Sequence, residues 1–209
     1  MKAGDTKWWM RFEELKPKIQ DITYLDKGWR GIVYRGFFEG KEVAIKVAKS
    51  QEKEYAIRKE ARILERLKDY PYFPKLILSG ENFIMYEFID GVPIEKLSLS
   101  PEEKLSLYMQ VLEIAYLLDS LRINRDEFAR LDKNLLVGKD GRLYLLDFER
   151  GALDVKKTHN FTQFLQFLRK EGIISTTQAL ELGKEYRKEP KLVKEKVHAI
   201  LSSALSIAT

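Results

Sequence analysis

The chain has 209 residues, 44% of them hydrophobic and 33% charged, and carries a net charge of +5 from 37 Lys plus Arg against 32 Asp plus Glu. It has no cysteine and two histidines, His159 and His198, which excludes disulfides, thiolate zinc sites and cysteine nucleophiles and disfavours a Ser-His-Asp triad or a multi-histidine metal centre. The mild positive charge suits a polyanion such as a phosphate or RNA; no apolar run approaches the roughly 18–20 residues of a membrane span, so a soluble, cytoplasmic chain without a signal peptide is expected.

In chain order, residues 5–20 read as a helix. Trp8, Phe12, Leu15 and Ile19 recur at helical spacing, and Asp5 or Thr6 can cap it. Residues 22–48 read as a β-meander, with a turn at Phe38-Glu39-Gly40-Lys41 and a strand from Val43 to Val47. A helix follows over 51–68, with Ile57, Ala61, Leu64 and Leu67 on one face. Leu76-Ile77-Leu78 and Phe83–Ile89 read as two strands around Gly80-Glu81-Asn82. Ser100 followed by Pro101 marks the start of a long helix over 101–120. Leu135–Val137 and Arg142–Leu146 flank a hairpin signal at Lys139-Asp140-Gly141. Residues 160–170, 176–188 and 190–206 read as helices. The expected fold class is α+β, with a β-rich part over 1–90 and a helical part over 91–209 joined near Asp90-Gly91.

Four ordered signals carry chemistry: V-A-I-K at Val43–Lys46, Glu60, Asn134, and D-F-E at Asp147–Glu149. Upstream of them, Gly28 and Gly31 would let a hairpin backbone approach phosphate oxygens. Lys46 lies in an apolar strand, where a charge is costly unless it has a partner. Glu60, on the next helix, is the natural one, and the ion pair would point the ammonium at phosphates. Asp147 ends the apolar strand Leu143–Leu146, and Asn134 begins the preceding one. A hairpin would bring both side chains to one end, where they could ligate Mg²⁺, which favours a few oxygen ligands plus phosphates and waters.

In this order the residues resemble the protein-kinase-like superfamily. The resemblance covers roughly residues 22–150 and implies a two-lobed fold with a β-rich N-lobe and a truncated helical C-lobe. Gly28 and Gly31 look like its glycine-rich loop, with Asp26 where the first glycine usually stands. Met85-Tyr86-Glu87-Phe88-Ile89 resembles the hinge that binds adenine. The resemblance therefore implies ATP held by Gly28, Gly31, Val33, Ala44, Lys46, Glu60, Glu87 and Ile89, and Mg²⁺ held by Asn134 and Asp147.

Two departures stand out. The family's catalytic loop, H-R-D-x-x-x-x-N, places an Asp five residues before the Asn, where this chain has Ala129. Arg125-Asp126-Glu127 lies upstream. With two inserted residues Glu127 takes the base position; Asp126 is the second candidate and Asp132 the third. Downstream of Asp147 no A-P-E sequence occurs, so the activation segment and peptide-docking helices are expected to be missing. In size the chain is similar to the atypical kinases, namely the RIO kinases and the small archaeal-type kinase subunit of the KEOPS complex.

Three functions compete. The first is an atypical Ser/Thr protein kinase using ATP and Mg²⁺. The second is the same fold acting on a sugar or other small-molecule acceptor. The third is an ATP-binding regulatory module or ATPase in an RNA-associated complex.

Overall fold

The computed structural model describes residues 10–28, 30–131 and 134–208. It is a mixed α and β structure that divides into two compact units, one running up to Gly91 and including Tyr144–Gly151, the other formed by Val92–Leu143 and the residues from Ala152 onward.

The first unit is built on an antiparallel sheet of β1 (Gln20–Lys27), β2 (Gly31–Phe38), β3 (Lys41–Ala48), β4 (Leu76–Ser79) and β5 (Phe83–Glu87), in the order β1-β2-β3-β5-β4. The β2–β3 turn places Glu39 at φ +48° and Gly40 at φ +78°. Positive φ at both central residues matches the right-handed twist of the flanking strands, which is why this hairpin closes in two residues.

Strand β3 is central and buried along most of its length. Its residues alternate in face, as strand geometry requires. Val43, Ile45 and Val47 join Phe38, Leu78, Phe83 and Met85 in a core closed by Met10, Phe12, Leu15 and Ile19. Ala44 and Lys46 point to the other face, where α2 (Gln51–Arg66) packs with Ile57, Ala61 and Leu64 buried.

The N-terminal helix is shorter than its sequence suggests. Of the residues expected to form it, 5–9 lie outside the described residues, including Trp8 and the proposed caps Asp5 and Thr6. Helix α1 spans only Phe12–Leu15, and a 3₁₀ turn follows at Lys16–Lys18. Pro17 lacks the amide that a continuing helix needs, and Ile19 is already extended. The apolar spacing is real, since Phe12, Leu15 and Ile19 are all buried, but a turn and a strand entry deliver it. The segment is anchored by Arg11 to Glu54 at 2.8 Å and by the Phe12 amide to the Asn82 Oδ1 at 2.8 Å. A short strand, β6 (Gly91–Pro93), was not expected from the sequence.

The second unit gathers α3 (Pro101–Ser120), α4 (Asn160–Lys170), α5 (Thr176–Tyr186) and α6 (Pro190–Ala208). The Ser100 hydroxyl accepts from the Glu103 amide, and the Glu103 carboxylate accepts from the Ser100 amide. This reciprocal cap fixes the helix start that Ser100-Pro101 announces. Helix α5 begins with the same device at Ser175 and Gln178. Val111, Leu112, Ala115, Phe161, Phe164 and Leu168 are fully buried. Strand β7 (Leu135–Gly138) turns through Asp140-Gly141, closed by the Gly138 amide on the Arg142 carbonyl at 2.9 Å, into β8 (Leu143–Leu145), whose last two residues are counted with the first unit. Among the described residues no helix is long and apolar enough to cross a membrane.

A buried polar network ties this unit together. Asp119, near the end of α3, accepts from the Asn160 amide at 3.2 Å, the Asn160 Nδ2 at 2.8 Å, the Phe161 amide at 3.3 Å and the Tyr186 hydroxyl at 2.7 Å. Burial pushes the Asp119 carboxyl above its ordinary value, and these donors restrain the rise. Tyr186→Phe removes one donor from a buried acceptor, so a loss of about 1.5–3 kcal/mol near pH 7 is expected in chemical denaturation. A folded-state pKa raised above 3.8 means stability grows as pH falls through the folded pKa toward that value. The variant should therefore recover part of its loss on mild acidification; a loss independent of pH would assign Tyr186 a packing role only.

Candidate functional site

The site is built on β3, α2 and the turn after β8. Alternation in β3 directs Lys46 toward α2, where Glu60 lies on the buried face, and the two meet at 2.8 Å between Lys46 Nζ and Glu60 Oε2. Both side chains are more than nine-tenths buried. The remaining Glu60 oxygen, Oε1, accepts from the Phe148 amide at 3.1 Å. Thus Glu60 ties the strand lysine to the D-F-E turn through one carboxylate.

Two further acids converge on the same ammonium. Asp147 Oδ1 lies 3.3 Å from Lys46 Nζ, and Glu149 Oε1 lies 2.8 Å from it. Glu149 also faces Arg30 at 3.8 Å, and its amide donates to Asp147 Oδ1 at 3.3 Å. The ammonium donates hydrogen bonds to Glu60 and Asp147 and forms an ion pair with Glu149. Burial disfavours the Lys46 charge, but Glu60, Asp147 and Glu149 outweigh that and hold its pKa above the ordinary range. Burial also pushes the Glu60 carboxyl up; Lys46 opposes this and Asp147 adds to it. The two shifts differ in origin: the acids raise Lys46, whereas burial raises Glu60 against the pull of the ammonium.

Asp147 differs from its neighbours in two ways. Its side chain is 40% exposed, against 4% for Glu60 and 8% for Glu149. Its backbone is left-handed, at φ +66°. Asp tolerates that region better than most residues, at a cost of order 1–3 kcal/mol. The turn therefore presents a half-exposed carboxylate beside a buried ammonium. Candidate ligand oxygens of Glu60, Asp147 and Glu149 lie within 4.8 Å of one another. Shared attraction to Lys46 is enough to explain that closeness. As hard oxygen donors they could hold Mg²⁺, and Asp147 is the most exposed of the three.

The other residues singled out in the sequence fall as follows. Gly31 opens β2, and a Cβ there would meet Lys46 Cγ at 3.0 Å and the Val47 carbonyl at 3.1 Å. Its smallness leaves room for the lysine stem. At Gly28 a Cβ would make only ordinary contacts, the nearest at 3.7 Å to Glu149 Oε1, and its amide closes the turn on the Gly31 carbonyl at 2.9 Å. Val33 is the cross-strand partner of Lys46, and Ala44 that of Tyr86. Glu87 is exposed, and its amide donates to the Lys75 carbonyl at 2.9 Å. Ile89 is half-buried beyond the end of β5.

Asn134, Asp126 and Glu127 belong to the second unit. Asp126 is exposed and left-handed at φ +75°, while Glu127 is half-buried. Their loop is held by the Arg125 amide on Asn160 Oδ1 at 3.0 Å and the Phe128 amide on Gln163 Oε1 at 2.9 Å. Asn134 is half-buried before β7, its amide on the Leu131 carbonyl at 3.2 Å. Asp132, the third candidate base, lies outside the described residues.

In the sequence Glu149 stands out only as the last residue of D-F-E. The available signal was an acid one residue beyond a buried Phe, in a turn already expected near Lys46.

No family model matches the chain. Over 81 residues, 39% of its length, it is 32% identical to the Bacillus subtilis (strain 168) protein named "Putative serine/threonine-protein kinase YrzF", of whose length the match covers 37%. The antiparallel sheet and several helices are compatible with a kinase-like fold.

Proposed function

We propose that the chain is an ATP- and Mg²⁺-dependent phosphotransferase of the protein-kinase-like type, with two lobes, acting on a hydroxyl acceptor, foremost Ser/Thr in protein. The observation that carries the reading is the buried Lys46–Glu60 pair at 2.8 Å with Asp147 at 3.3 Å from the same ammonium. Lys46 would hold the phosphates, kept in place by Glu60. Asp147 would turn outward to hold Mg²⁺, which when bound offsets charge on the transferring phosphoryl group. The second unit contributes by sequence pattern alone: Asn134 for the metal, Glu127 first and Asp126 second for the acceptor proton. Phosphoryl transfer has a loose transition state, so positioning and charge neutralisation contribute more than a strong base. The similarity to a protein named as a kinase adds support over its matched segment.

A second reading, a nucleotide-binding module without transfer, draws on the Ala129 in place of an acid and on Glu149 occupying Lys46. Incubation with γ-labelled ATP and Mg²⁺, alone, with a lysate and with small alcohols, separates these readings. Transfer is expected, and Glu127→Gln should reduce it by about 10²–10⁴-fold, with Asp126→Asn having the smaller effect. Tight ATP binding with no labelled product in any arm would favour the second reading.

A further inference from the structure

A cavity of about 680 Å³ opens in the helical unit, walled by α3, the segment 156–159, α4 and α5. Lys156, Lys157, Lys184 and Arg187 line it. Among the described residues none of these four makes an ion pair. One acid, Asp119, is among the lining residues, and its oxygens are taken by Asn160, Phe161 and Tyr186. Four uncompensated cations around one concavity repel one another, and an anion relieves that repulsion.

The segment bearing two of them is held in place before any ligand arrives. Arg122 donates to the Val155 carbonyl at 3.0 Å and the Lys156 carbonyl at 3.2 Å. Asn124 Nδ2 donates to the Lys157 carbonyl at 3.0 Å, and its Oδ1 accepts from the His159 amide at 2.9 Å. Fixing this backbone lowers the ordering cost of recognition. The lining also includes the apolar side chains Leu165, Ala179 and Leu180, and Leu180 is 57% exposed. A large apolar side chain left open beside a cationic rim fits a ligand with an anionic head and an apolar body. The volume is that of a small-molecule site rather than of a groove for a chain.

We infer that this cavity binds a small organic phosphate, its phosphate held by Lys156, Lys157, Lys184 and Arg187 and its body resting on Leu165, Ala179 and Leu180. The inference does not depend on the reading of Lys46.

Phenyl phosphate serves as the probe, with inorganic phosphate, phenol and a single-stranded RNA oligomer as comparison arms at fixed ionic strength. Amide NMR shifts locate binding and calorimetry measures it. Phenyl phosphate is expected to shift the amides of 156–159 and 184–187 and to bind more tightly than inorganic phosphate or phenol. Lys184→Ala/Arg187→Ala should weaken it about tenfold or more, and Leu180→Glu should weaken phenyl phosphate more than inorganic phosphate. All three side chains are exposed, so the variants should keep the wild-type melting temperature. Absence of shifts at these amides, unchanged affinity in the double variant, or RNA binding there without phenyl phosphate binding would overturn the proposal.

Discussion

Lys46→Met is expected to abolish phosphoryl transfer and to destabilise the first unit by about 3–5 kcal/mol near pH 7, the usual consequence of removing one partner from a buried ion pair. The ammonium is 2.8 Å from Glu60 and from Glu149, and both carboxylates are more than nine-tenths buried. Methionine fills the volume but leaves these charges facing each other. Glu60 already has its pKa raised from 4.5, so its proton uptake accompanies folding and stability grows as pH falls through the folded pKa. Part of the variant's loss should return on acidification. Lys46 itself has a folded pKa above its ordinary 10.5. Its stabilisation is fully present below 10.5 and is lost as pH rises through the folded value. Alkaline destabilisation should therefore be weaker in the methionine variant. Urea denaturation across pH tests this, and an unchanged midpoint would mean the three acids do not depend on the ammonium.

Glu149→Gln should act in the opposite direction on ligand affinity. If Lys46 holds a phosphate as proposed, one of the three carboxylates within 3.3 Å of its ammonium must yield. Glu60 is fixed by the Phe148 amide at 3.1 Å, and Asp147 is the half-exposed metal candidate. Glu149, retained also by Arg30 at 3.8 Å, is the competing anion. Removing its charge while keeping its shape should tighten ATP binding about tenfold, the effect of releasing roughly one charge-assisted contact. Calorimetric titration with ATP measures it. Weaker binding in the variant would instead make Glu149 a ligand of the bound state.

Local signals made much of the chain legible. Ser100-Pro101 specified a helix whose expected bounds, 101–120, are those observed. Glu39-Gly40 specified a hairpin because the turn needs positive φ at both positions. Lys46 with Glu60 was legible because a lysine in V-A-I-K demands a partner and the next helix offers one. Long-range pairings were not legible in this way. The contact between Lys46 and Glu149 and the joining of Asp119 to Asn160 and Tyr186 are made by chain reversal, with no periodic trace in the sequence. The first helix was overextended because apolar spacing outweighed Pro17, whose missing amide the structure obeys. At Gly31 the contacts give glycine a further reason that the sequence does not display, room for the Lys46 stem.

The most direct test of the nucleotide and metal site is ATP binding measured by calorimetry with and without Mg²⁺, in wild type and Asp147→Asn. The account predicts that wild type binds ATP more tightly with Mg²⁺ present and that Asp147→Asn loses this Mg²⁺ dependence while still binding ATP through Lys46. Equal Mg²⁺ dependence in the two proteins, or no ATP binding by wild type, would contradict it.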